Sequence, residues 1–63
     1  MNTLDEIRAE IRRNSAAAFL VVSDVARGRV DESVIAQAKD VMAADARLWN
    51  ALAIEIDKAM APA

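Results

Sequence analysis

The side chains of this sequence that could move a proton, attack a carbonyl or hold an ion are ten Asp and Glu, eight Lys and Arg, and the serines Ser15, Ser23 and Ser33. His, Cys and Tyr are absent. Without them the chain lacks the usual general base, the thiolate nucleophile, the commonest zinc ligands and any disulfide. The remaining candidate catalysts are carboxylates, Lys39, Lys58 and the three serines. No serine has a base at a usable spacing, and neither a Glu-x-x-His metal motif nor a glycine-rich phosphate loop occurs. The expectation is a protein that is not an enzyme, with no catalytic residues, no metal and no cofactor.

What the charged residues do instead follows from their spacing. Asp5–Arg8, Glu10–Arg13 and Asp24–Arg27 stand three residues apart, which on a helix makes them neighbours. Such pairs belong to solvated helix surfaces and contribute a few tenths of a kcal/mol each. The net charge is −2, so nothing global favours a polyanionic partner. Locally, Arg8, Arg12 and Arg27 fall on one side of the first predicted helix, with Arg13 and Arg29 less well aligned, and they are the candidate nucleic-acid contacts.

The elements that carry these residues are helical by composition. Alanine occurs at fifteen positions, with a single Gly, a single Pro and two aromatics, Phe19 and Trp49. Alanine is the strongest helix former, whereas a strand-based fold needs more turn residues and β-branched side chains. The chain of 63 residues is one small domain at most, near the lower limit for folding alone. No apolar run approaches the roughly 18–20 residues of a membrane span. The stretch "RRNSAAAFLVV" loosely resembles a twin-arginine export signal, but Asp5, Glu6 and Glu10 stand upstream, and a cytoplasmic location is expected. A peripheral membrane helix would need a polar face rich in Lys and Arg, which neither helix has.

Helix 1 is predicted over about residues 3–27, with Thr3 as N-cap and Glu6 at the capping-box position. Its apolar face is Leu4, Ile7, Ile11, Ala18, Val22 and Val25. Gly28 can take the left-handed conformation that closes a helix, and Asp31 can cap the next one. Val30 and Ile35 have the spacing of a hydrophobic staple. Helix 2 is predicted over about residues 32–60, with Pro62 helping to end it. Its stripe holds Val34, Ile35, Ala38, Val41, Met42, Leu48, Trp49, Leu52, Ile56 and Met60. A turn at 28–31 makes the two helices antiparallel neighbours, so the fold class is all-α, an antiparallel two-helix hairpin.

Across such a turn, facing residue numbers sum to about 59, which sets Asn14 of helix 1 opposite Asp45 of helix 2. Each is the polar interruption of its own stripe, and together they are expected to form a polar layer that fixes register and assembly. Each stripe is broader than one helix–helix seam. Phe19, Val22, Met42, Trp49, Leu52 and Ile56 are therefore expected to form an oligomer interface, closed most simply as a C2 dimer, an antiparallel four-helix bundle. A second contact surface is expected where Leu20, beside Ala16 and Ala17, and Ile54 join the outer alanines of helix 2, Ala36, Ala43, Ala44 and Ala51.

The expected function is that of a small self-associating interaction protein (a regulator, inhibitor or adaptor) that docks helical surfaces on a protein partner. The alternative is nucleic-acid binding. In architecture alone the hairpin resembles the Rop-type plasmid copy-number regulators, which bind RNA through one helical face of a hairpin dimer. No sequence motif carries that likeness.

Overall fold

A computed structural model describes residues 3–61. It contains two α-helices, α1 (Thr3–Ala26) and α2 (Glu32–Met60), and no strand among the described residues. They pack side by side and antiparallel in a rod of 52 × 17 × 16 Å.

The turn is made by two residues. Gly28 has φ +80°, the left-handed region in which a Cβ would be strained, and it ends α1 one residue earlier than the spacing predicts. The Gly28 N–H donates to the Val25 carbonyl at 2.9 Å, and the Arg29 N–H donates to that of Asp24 at 2.9 Å. This bond pair satisfies carbonyls that the helix end would otherwise leave open. Asp31 then starts α2: its backbone is extended and its carboxylate accepts from the Val34 N–H at 3.0 Å. The Arg29 guanidinium donates to the same carboxylate at 3.2 Å. Together, the Val34 bond first and Arg29 second, they hold Asp31 below the usual carboxylate range.

At the other end Thr3 is already the first residue of α1, so the position that would cap it lies outside the described residues. Ala61 ends α2 in an extended conformation, ψ 139°, as suits a residue before a proline. Pro62 itself lies outside the described residues.

The seam between the helices is thin. Ile7, Val34 and Leu48 are its buried residues. Ile11, Asn14, Ala18 and Val21 flank them on α1, and Ala38, Val41, Ala44, Ala51 and Leu52 on α2, all half-buried. Three members of the expected α1 face, Leu4, Val22 and Val25, are instead exposed. For Leu4 and Val22 the physical reason is width: one neighbouring helix covers a single line of contact, and at about 100° per residue the outer members of a broad stripe turn away from it. Val25 lies on the same line as Ile7 and is exposed at the turn end of α1.

The consequence can be measured. The chain exposes 5142 Å², whereas a compact monomer of 6.8 kDa exposes about 4,000 Å². The excess of roughly 1,100 Å² is larger than the ~800 Å² that each partner buries in a standard protein interface.

Candidate interaction surface

Several of the exposed apolar side chains share one side of the hairpin. Looking along α1 from its first residue, successive residues turn clockwise, and a rotation of about 100° leads from the Ile7–Ile11–Ala18 seam line to Ser15, Phe19 and Val22. α2 runs the opposite way, so from the same viewpoint its residues turn anticlockwise, from the Val41–Leu48 line to Met42 and Trp49. Both rotations end on the same side of the hairpin. Phe19 (71% exposed), Val22 (67%), Met42 (69%) and Trp49 (56%) therefore lie on the same side of the hairpin, which also carries Arg8, Ser15 and Asp45. Ile35 and Ile56 extend it along α2, and Leu4 and Val25 border it on α1. Of the residues expected to form an oligomer interface, Leu52 alone is half-buried, because it leans into the seam. Ile35 was the residue this expectation missed. Its signal was the seven-residue spacing Ile35, Met42, Trp49, Ile56, which keeps side chains on one line of a helix.

The opposite side mixes polar and apolar residues. Arg47 reaches Glu10 at 4.0 Å across the seam. Asn14, Ala17, Leu20, Gln37, Val41 and Ala44 line an open groove of about 340 Å³ there. Leu20 is exposed at its rim, and Ile54 is exposed further along α2.

Asn14 and Asp45 do not form the expected polar layer. The Asn14 amide donates instead to the Val41 carbonyl at 3.1 Å, and the Asp45 side chain is exposed. At this depth the residue facing α1 is Ala44, and one further residue rotates Asp45 by about 100°, out of the seam and toward Met42 and Trp49. No side-chain hydrogen bond or ion pair within the described residues engages Asp45. The amide still has a structural role, since it ties the middle of α1 to the middle of α2. The carboxylate has none among the described residues.

The arginines are likewise rearranged. Asp24 lies 4.0 Å from Arg29 and Glu10 pairs with Arg47, so neither takes the i+3 partner that spacing suggested. Arg8, Arg12 and Arg27 are exposed, and no ion pair among the described residues includes them. Arg8 and Arg12 lie one turn apart beside Asp5 on the outer flank of α1.

Among the described residues no three Asp or Glu side chains come together as a metal site would require. No helix is long and apolar enough to cross a membrane. What the geometry defines is a helical hairpin with one unfinished apolar side. No protein-family model, curated protein sequence or solved structure matches this chain.

Proposed function

We propose that the chain is a non-enzymatic interaction module that self-associates through the side bearing Phe19, Val22, Met42 and Trp49, giving a dimeric four-helix bundle. One observation carries this: four large apolar side chains more than half exposed, Phe19, Val22, Met42 and Trp49, share one side of the hairpin, while among the described residues the seam buries only Ile7, Val34 and Leu48. Exposed apolar surface of that extent is costly in water and marks an interface. With that side occupied by self-association, the bundle offers its outer helical surfaces, the groove beside Leu20 included, to a protein partner. It would act there as a regulator, inhibitor or adaptor. Sedimentation equilibrium tests the first step. The expected mass is 13.6 kDa, twice the 6.8 kDa of one chain. A mass of 6.8 kDa throughout a micromolar concentration series would overturn it.

Nucleic-acid binding through Arg8, Arg12 and Arg27 is the alternative, and the observation in its favour is that no ion pair among the described residues includes them. The net charge of −2 weighs against it. It requires an oligonucleotide shift at low salt that weakens steeply as salt rises and is lost on Arg8→Ala with Arg12→Ala. Protein-based docking requires no shift at all.

A further inference from the structure

Val41, Asp45 and Trp49 follow one another at intervals of four residues, and each step turns about 40° around α2. Val41 is half-buried in the seam against α1, and Trp49 is 56% exposed on the open side. Asp45 lies midway between them. A body that covers Trp49 while α1 keeps its place against Val41 therefore closes over Asp45 as well. In a four-helix bundle this midway direction points to the bundle axis, because each helix has one neighbour in its own hairpin and one in the other.

Along the rod, Asp45 stands next to Ala46, the midpoint of α2 (Glu32–Met60, 29 residues). Two hairpins that overlap along their full length bring both copies of Asp45 to one central layer. That holds whether the two-fold axis runs along the helices or across them, since a residue at the middle keeps its height under either.

Few charges stand near that layer. On α2, Arg47 pairs with Glu10 and Asp40 lines the groove, both on the opposite side of the hairpin. On α1, the Glu10–Arg47 pair and the Asn14–Val41 bond bracket the level of Asp45, where Ile11, Arg12 and Arg13 stand. Ile11 is half-buried, and Arg13 borders the groove side. Arg12 lies about 100° around from Ile11, on the outer flank beside Asp5. Arg8, one turn before Arg12, shares the open side with Asp45. No ion pair among the described residues joins any of these cations to Asp45.

We propose that Asp45 makes self-association pH-dependent: the two ionised carboxylates oppose coverage of Met42 and Trp49, and protonation at their layer favours it. This rests on the self-association proposed above. A carboxylate loses its hydration on entering an apolar interior, and two in one layer repel, so the ionised form is disfavoured twice. Protons are therefore taken up as the copies meet, and an equilibrium that takes up protons strengthens as pH falls.

Dimer dissociation constants from sedimentation equilibrium, for wild type and Asp45→Asn at pH 7 and pH 5, test this. Asn is close to Asp in shape and helix propensity, so the substitution removes charge and little else. Asp45→Asn should tighten the dimer at pH 7 by at least about tenfold. Wild type should tighten on going to pH 5 by clearly more than Asp45→Asn, whose remaining response reports the other carboxylates. Absence of either response in a wild-type dimer overturns the pH dependence and leaves self-association standing. So does weakening by both the substitution and acid, the result expected if a cation of the second copy, Arg8 foremost, meets Asp45. A mass of one chain for both proteins at both pH values overturns self-association too. Circular dichroism is recorded for each protein, and if Asp45→Asn loses its helices, Asp45→Ala replaces it under the same criteria.

Discussion

On one side of the hairpin Arg47 crosses the seam toward Glu10, and Asn14 and Gln37 edge an open groove; on the other, Phe19, Val22, Met42 and Trp49 stand in solvent around a single unengaged acid. The same two helices build both sides. The difference arises because a lone antiparallel partner satisfies one line of each helix, and polar side chains beside that line can complete their bonds within the chain. Apolar side chains beside it cannot. They stay in water, in a rod that as a whole exposes roughly 1,100 Å² more than a compact monomer of its mass. Within one hairpin, the side bearing Phe19, Val22, Met42 and Trp49 therefore leaves more large apolar surface in water than the side bearing Arg47 and Glu10.

The comparison is broken most severely at the seam shared by both sides. Leu48→Ala removes a buried side chain from a seam with few others and should cost about 3 kcal/mol, enough to abolish cooperative unfolding in a chain this small. Circular dichroism during thermal melting reads the loss. Met42→Glu with Trp49→Glu attacks the apolar side alone. It should halve the sedimenting mass, and helicity should become weaker and independent of concentration, because the bundle no longer supports the hairpin.

Smaller effects sharpen the polar side. Asn14→Ala removes the bond to the Val41 carbonyl and should lower stability by about 1 kcal/mol without changing the mass, as denaturant titration would show. Asp31 adds a pH test at the turn. Its carboxyl is held below its ordinary range in the folded chain, so the stability it contributes is present above the unfolded-state value near pH 4. That contribution is lost as pH falls through the lower folded value. The melting difference between wild type and Asp31→Ala should therefore be constant near neutrality and shrink toward zero in acid. Arg47→Ala is expected to be the mildest change, within about 0.5 kcal/mol, because its pair with Glu10 is exposed and 4.0 Å long.

How much of this could be read from the amino-acid order differs by feature. Gly28 and Asp31 signal the turn because each supplies something few residues can, a positive φ in one case and an N-cap acceptor in the other. The two-helix plan follows from them and from the alanine content. The broad stripes point to leftover apolar surface, since no single neighbour can cover that width. The polar layer does not form for the same reason. Where a stripe is this wide, periodicity does not say which of two adjacent residues faces the other helix, and Ala44, small and apolar, takes the position that Asp45 seemed to hold. Pairing numbers across a turn fixes depth along the axis and leaves rotation about it free. Ion pairs were misassigned on similar grounds, because long arginine side chains such as Arg29 and Arg47 reach beyond the i+3 neighbours that spacing alone considers.

Trp49 is the only tryptophan, it stands 56% exposed in the single chain, and it lies on the side proposed to be covered. Its fluorescence during serial dilution is therefore the most direct probe of the open apolar side. Coverage by a second copy predicts blue-shifted emission in concentrated solution that moves to the red on dilution, in step with halving of the mass. Emission already characteristic of a water-exposed indole, unchanged across the series while the helices stay intact, would contradict it.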